Sequence, residues 1–115
     1  MKVLKYFEWL PRQDITSDSD THHQGVYVAG TEKIILFVRI TTVEGTDPTL
    51  DLYIDIYDPI INDFVQLAHV GTFTTTGFTM HTVNVDGGQV FSLRWAVGGT
   101  NPKFSTQITA EFRGD

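Results

Sequence analysis

Acidic and histidine side chains concentrate in one polar stretch, "DITSDSDTHHQG" at residues 14–25. Loops that bind Ca²⁺ supply oxygen ligands, a glycine at a sharp turn and a bidentate glutamate at the end. In this stretch the glycine comes late and no glutamate closes it, so we expect a mobile polar linker that binds no metal. The side chains that a metal would have used are Asp14, Asp18, Asp20, His22 and His23.

A second pair of carboxylates, Asp51 and Asp55, lies on one face of the predicted strand "LDLYIDIY" at residues 50–57. At ~3.3 Å per residue they are roughly 13 Å apart, beyond the ~5–9.5 Å that glycoside hydrolysis requires. We therefore interpret them as solubilising charges, or as partners of arginines on a neighbouring strand or subunit.

Other catalytic patterns find little support in the chain. His69 and His81 fall on two strands predicted to be adjacent, but no G-x-S-x-G nucleophile motif accompanies them. The sequence contains no cysteine, which excludes thiolate chemistry and disulfides. Its glycine-rich stretches lack the lysine and the spacing of a phosphate loop. We expect a protein that is not an enzyme and that uses no cofactor.

The most suggestive face carries Tyr53 and Tyr57 between the two aspartates. Aromatic rings beside carboxylates stack sugars in some proteins, and tyrosine-rich flat faces are also common in protein contacts. We favour protein contact, because one ladder on a convex sheet makes no pocket. The N-terminal segment is a second adhesive element, which completes the sandwich or reaches a neighbour as an arm, and our hypothesis is that it crosses to a neighbour. The predicted interface residues are Val3, Phe7, Trp9, Tyr53 and Tyr57.

The elements that position these residues show hydrophobic alternation with a period of two, which is typical of half-buried strands. No window shows a helical stripe with capping residues. Strands of this spacing predict an all-β fold: a two-sheet antiparallel sandwich, jelly-roll-like, with about eight strands. We expect one domain overall, in which residues 1–24 form an N-terminal strand or arm plus the acidic loop. Residues 25–115 then form the β-sandwich.

One turn-plus-strand pattern occurs twice, as "GTDPTLDLYI" at residues 45–54 and "GTNPKFSTQI" at residues 99–108. Glycine allows the first bend, and proline, which cannot donate to a ladder, belongs at the start of the following strand. Each copy follows one hydrophobic strand and precedes another. We interpret them as two equivalent hairpins, at residues 34–56 and 90–112.

The charge of the chain limits its partners. Its formal net charge is −6 with eight scattered basic residues, whereas duplex binding requires clustered Lys and Arg. Anionic membranes repel the same charge. The N-terminus has no uninterrupted apolar stretch, so we expect a protein made without export. No nucleic-acid or membrane partner is expected.

Three segments resemble small β-sandwich head decoration proteins of tailed bacteriophages: residues 26–58, 74–88 and 91–112. The shared features are a long hydrophobic strand before G-T-x-P and a late Arg-aromatic strand before a second G-G-T-x-P. This sequence departs from the pattern at Lys103, where a small hydroxyl residue is common. It departs again at Tyr57-Asp58-Pro59-Ile60, which replaces a more polar turn.

The resemblance implies a non-enzymatic virion subunit on the outer capsid surface, assembled in the host cytoplasm. Its implied partner is the major capsid protein, and it acts as a homo-oligomer, with a trimer favoured, that clamps neighbouring capsomers. The alternative is a receptor- or carbohydrate-binding module of a phage tail or adhesin. A small lyase or hydrolase on a jelly-roll scaffold ranks last, because the inward positions are apolar and offer no metal ligands.

Overall fold

The computed structural model describes residues 2–85 and 90–114 of the chain. The Asp-Gly-Gly run at residues 86–88, whose composition predicts a turn, lies outside the described residues. The described parts form strands joined by short connections and one short 3-10 helix at His22–Gln24. The described strands are β1 (Lys2–Ile15), β2 (Ser19–Asp20), β3 (Val26–Tyr27), β4 (Lys33–Asp58), β5 (Asp63–Phe73), β6 (Gly77–Asn84) and β7 (Val90–Gly114).

Two long strands, β4 and β7, organise the fold. They pair antiparallel over nearly their whole length, from Lys33 opposite Arg113 to Ile56 opposite Phe91. In layer 1, β1 and β6 flank the part of this ribbon formed by residues 33–43 and 104–114. In layer 2, β5 lies on one side of residues 49–58, while β2 and β3 lie beside residues 90–98.

The two layers pack on each other around one hydrophobic core. The ring of Phe91 in layer 2 lies 5.9 Å from the ring of Phe112 in layer 1. Alternate residues of both strands of the ribbon point inward, as the period of two predicts. The predicted all-β, jelly-roll-like antiparallel sandwich is therefore confirmed, with its seven described strands hydrogen-bonded into one sheet that folds over itself, where two sheets and about eight strands were predicted. Fully buried ribbon residues include Ile34, Leu36, Val38, Leu50, Leu52, Ile54, Phe91, Leu93, Phe104, Ile108 and Phe112.

The interpretation of the repeat as two hairpins is wrong. The two copies do not reverse the chain, and they lie opposite each other in the ribbon, with Thr46 paired to Thr100. Each copy bends its strand from one layer into the other, β4 from layer 1 into layer 2 and β7 from layer 2 into layer 1, with register shifts on both sides of the Thr46–Thr100 pair. The same residue types serve a bend and a reversal, because both need a glycine and a residue with positive φ.

The geometry of this paired corner requires its glycines. Gly45 and Gly99 have φ of 114° and 99°, and Asp47 and Asn101 each have φ of 50°. A Cβ on Gly99 would lie 2.5 Å from the carbonyl oxygen of Asp47, and one on Gly45 would lie 2.7 Å from that of Asn101. Each glycine therefore lets the backbone of the opposite copy approach closely.

Lys103, where the sequence departs from the phage pattern, ties three parts of the chain together beside the corner. Its Nζ lies 3.4 Å from Glu44 of β4 and 3.6 Å from Asp14 of β1. A hydrogen bond from the Ser105 hydroxyl, with the nearby Lys103, lowers the pKa of Asp14. All three charged groups of this triad are substantially exposed, so its contribution to stability is small.

Candidate functional site

The outer face of layer 2 contains a buried carboxylate, Asp55, which is 2% exposed. Arg94 of the neighbouring strand β7 donates to both of its oxygens, from Nε (2.9 Å) and Nη2 (3.3 Å). His22, from the 3-10 helix, places Nε2 2.8 Å from Asp55 Oδ2. Of the two interpretations of this aspartate, a solubilising charge or a partner of an arginine on a neighbouring strand or subunit, the second holds for Asp55. We call Asp55, Arg94 and His22, with the Tyr53 and Phe64 rings against them, the Asp55 cluster.

Tyr53 lies between two cross-strand neighbours. It pairs with Arg94 on β7 and with His69 on β5, which flank it from opposite sides. The Arg94 guanidinium carbon is 4.1 Å from the Tyr53 ring centroid, and the His69 ring stacks at 4.9 Å. Both faces of the ring are therefore occupied within the chain.

Tyr57 belongs to a second aromatic row beside the first. Its ring meets the edge of Phe64 at 5.4 Å, and its hydroxyl donates to the side chain of Asn62. Phe64 in turn stacks on His22 at 4.2 Å and 18°. The two predicted interface tyrosines thus share a face and are both half-buried by their neighbours, and their role in an interface stays a prediction.

Asp51 and the two strand histidines, His69 and His81, each contact other side chains of the same chain. Asp51 contacts His69 (3.0 Å) and the hydroxyl of Thr72, so it does not share a partner with Asp55. His81 contacts Thr79 and Phe73, so the two strand histidines have different neighbours. Across residues 2–85 and 90–114 no group of three or more His, Cys, Asp or Glu side chains is arranged to hold a metal ion. The arrangement joins neighbouring strands through side-chain hydrogen bonds and ion pairs.

The segment between Asp14 and Gly25 packs along the sandwich, so the expectation of a free linker is wrong, while its mobility stays a prediction. It crosses from layer 1 to layer 2 and lies along β7, where Ser19 pairs with Trp95. Asp18 accepts the backbone N–H of Val97 at 2.8 Å, and the N–H of Thr21 donates to Leu93 O at 2.8 Å. Polar residues that would face solvent in a free loop here form hydrogen bonds with backbone groups along the edge of β7.

The N-terminal segment completes the sandwich within its own chain, whereas our hypothesis had it cross to a neighbour. β1 pairs with β7 of the same chain from Lys2 to Ile15. Trp9 is buried, 4% exposed, with its ring 5.6 Å from Phe112 in the core. Phe7 is half-buried and Val3 is 40% exposed. Of the three predicted contact residues in this segment, Val3 and Phe7 have surface to offer a partner, whereas Trp9 serves the core.

Exposed apolar side chains that the sequence analysis did not select are the other feature of the surface. Ile60 and Ile61, in the turn between β4 and β5, are 92% and 58% exposed. Phe78 and Met80 on β6 are 61% and 62% exposed. Two adjacent isoleucines after a proline inside a turn were the available signal, because large β-branched residues are unusual in turns.

Comparison with known proteins places the fold in a broad class. No protein-family model and no curated protein sequence matches the chain. Among solved structures, it is similar to the VP2 protein of infectious bursal disease virus in T=1 particles, with TM-score 0.62 and 10% identity, over 94% of this chain and 30% of that one. It is also similar to a carbohydrate-binding module of a Ruminococcus flavefaciens family 9 glycoside hydrolase (TM-score 0.52, 6% identity, 94% and 98% coverage).

A third similar structure is a Clostridium thermocellum xylanase 10B fragment containing CBM22-1 and GH10 modules, with TM-score 0.55 and 9% identity. That match covers 99% of this chain and 29% of the other. The chain thus spans about a third of the length of the viral and xylanase chains. At these identities the likeness shows the fold alone, a β-sandwich shared with the viral VP2 protein and with a carbohydrate-binding module. In the described part of the chain, no helix has the length and apolar character needed to cross a membrane.

Proposed function

We propose that the protein is a structural virion protein that binds the outer surface of a phage capsid and stabilises it by clamping neighbouring capsomers. The resemblance of three segments to phage decoration proteins supports this proposal, and so does a fold that viral capsid proteins share. The polar groups of the Asp55 cluster are occupied with one another, which suits a structural role better than a catalytic one.

The observation that carries the proposal is the exposed isoleucine pair in the β4–β5 turn. Ile60 is 92% exposed, so nearly all of its apolar surface faces water in the isolated chain. Covering a large aliphatic side chain is worth about 1.5–3 kcal/mol, which makes these two residues natural anchors for a protein surface. The Asp58 carboxylate accepts the backbone N–H of Ile60 at 2.9 Å and helps to hold the turn.

Clamping follows from multivalency. A homo-oligomer, which we propose to be the trimer that the resemblance implies, presents several copies of the turn to a symmetric capsid site. Each contact is then modest, while the combined affinity rises because later contacts are intramolecular. The partner in this scheme is the major capsid protein.

Replacing both isoleucines with serine is expected to lower binding to undecorated phage heads at least about tenfold, since each loses an apolar contact. Co-sedimentation and cryo-EM occupancy at symmetric positions measure the change. The matched control is Tyr27→Ser on β3, where a side chain of similar size is 61% exposed elsewhere on the surface. Both variants should keep the wild-type melting temperature.

Wild-type protein that leaves undecorated heads unoccupied would overturn the proposed function. If the double serine variant occupies the heads as fully as the wild type, the isoleucine turn is not part of the contact, and the proposal of capsid binding itself is unaffected.

The alternative function, a receptor- or carbohydrate-binding module, rests on the Tyr53 face and on the fold shared with carbohydrate-binding modules. A sugar stacking on Tyr53 would have to displace Arg94 or His69 from its ring faces. A glycan array distinguishes the two functions: we expect no signal, whereas a signal lost in Tyr53→Ala would favour the alternative.

A further inference from the structure

The outer strands of a sheet expose unpaired backbone groups, and proteins protect such edges with charges, prolines, bulges or short length. β1 carries Lys2, Lys5 and Pro11, and its register with β7 shifts at three places. β5 has two register shifts against β4, and β2 and β3 are two residues long each. Each of these edges uses a known device against pairing.

β6 uses none of these devices. Its eight residues, "GFTMHTVN", include no Asp, Glu, Lys, Arg or Pro. They pair with β4 in unbroken register, from Ile40 opposite Gly77 to Lys33 opposite Asn84. Within the described residues β6 pairs with β4 alone and without a register shift, so its other side is a regular template for another strand.

The side chains along β6 favour a second copy of this chain as the partner. Phe78 and Met80, 61% and 62% exposed, stand on the outer face of layer 1. Burial lowers the pKa of His81, which keeps this strand uncharged at pH 7. In a chain with a net charge of −6, an uncharged strip is where a second copy meets the least repulsion.

We propose that β6 pairs antiparallel with β6 of a second copy of this chain about a twofold axis at Met80. Residues directly opposite each other in an antiparallel pair point to the same face of the sheet. The outer faces of the two copies align only if each outward-pointing residue lies opposite another outward-pointing residue, which requires the two residue numbers to add up to an even number. Axes at Met80 and at His81 both satisfy this condition and pair seven residues each, and we choose Met80 because its side chain is exposed on the outer face while His81 is half-buried. The Met80 axis pairs residues 77–83. Met80 then faces its own copy, Phe78 faces Thr82, and layer 1 continues into the second molecule.

This contact goes beyond the proposed function and does not depend on it. A twofold contact places the same strand on both sides, which a threefold axis cannot do. In a trimeric protein the β6 contact therefore joins two trimers, and in a protein without other contacts it makes a dimer. Capsid binding through the β4–β5 turn is measured separately.

Met80→Lys tests the contact in the full chain. We expect its self-association to be at least about tenfold weaker than that of the wild type, because two lysines would meet at the axis. Tyr27→Lys is the matched control, since Tyr27 has nearly the same exposure (61%) on a different strand. Sedimentation equilibrium between micromolar and millimolar concentrations gives the association constants, and thermal melts confirm that both variants are folded.

Single-cysteine scanning then locates the axis, and the absence of native cysteine makes the background zero. Directly opposed residues have Cα atoms ~4.5–5.5 Å apart, within the range of a disulfide. Only a residue on the axis faces its own copy, so Met80→Cys should crosslink at least about tenfold faster than Phe78→Cys or Thr82→Cys. Thr16→Cys, an exposed position away from β6, reports random collision.

A single maximum of crosslinking within β6, together with weakened association of Met80→Lys alone, supports the pairing. The proposal is overturned if the wild-type protein does not self-associate through β6 up to millimolar concentration. It is also overturned if the two lysine variants have equal effects, or if cysteines on β6 crosslink no faster than the cysteine at position 16. None of these results affects the test of capsid binding, so the two proposals fail independently.

Discussion

Gly99→Ala is expected to destabilise the protein by about 3 kcal/mol or more, a drop in melting temperature of about 12 °C or more. Two effects add at this position. The φ of 99° is unfavourable for any residue with a Cβ. The new Cβ would also lie 2.5 Å and 2.8 Å from the carbonyl oxygens of Asp47 and Thr46, and backbone atoms of the paired corner cannot move aside cheaply.

Two other glycines separate these effects. Gly30 has a positive φ of 79° but nothing within 4 Å of a new Cβ, so Gly30→Ala should cost about 1–2 kcal/mol through conformation alone. Gly77 has neither a positive φ nor a near neighbour, and Gly77→Ala should change stability by less than about 0.5 kcal/mol. The loss should therefore increase from Gly77 to Gly30 to Gly99.

Urea unfolding of the three variants measures these free energies directly. A cost at Gly99 no greater than at Gly30 would show that the two copies of the repeat do not press on each other at the corner. Gly45→Ala, which meets the backbone of Asn101, Thr100 and Pro102 from the other copy, should behave like Gly99→Ala.

Asp55→Ala has the second large expected effect, a loss of about 3 kcal/mol in the free energy of unfolding. The carboxylate is buried and holds both Arg94 and His22, and its removal leaves their charged or polar atoms without the partner that compensates for lost water. Asp51→Ala is the matched control on the same face of β4. The Asp51 side chain is 29% exposed against 3% for Asp55, so its loss should cost less than about 1 kcal/mol.

A double-mutant cycle of Asp55→Ala with Arg94→Ala isolates the pair, and we expect a coupling energy above about 1 kcal/mol. Hydrogen exchange tests a second consequence. Because His22 holds the crossing segment to Asp55, the amides of residues 17–24 should exchange faster in Asp55→Ala than in Asp51→Ala. Equal stability of these two variants would mean that burial does not distinguish the two carboxylates.

Several features of the site were predictable because they depend on local pattern. Alternation placed Asp51, Tyr53, Asp55 and Tyr57 on one face of β4, and an arginine partner was one of the two interpretations of the aspartates. The identity of that partner was not predictable, since Arg94 lies 39 positions away and reaches Asp55 only through the pairing of β4 with β7. His22, read as part of a free polar loop, reaches the same carboxylate because the crossing segment lies along β7.

The sequence by itself determined the strand content, the inward and outward faces, and the need for two glycine–proline corners, since all of these follow from neighbouring residues along the chain. The tertiary structure alone decided whether each corner bends or reverses its strand, which edges stay open, and that Trp9 fills the core. These outcomes depend on which strands meet, and residues far apart in sequence settle that by burying their apolar faces together.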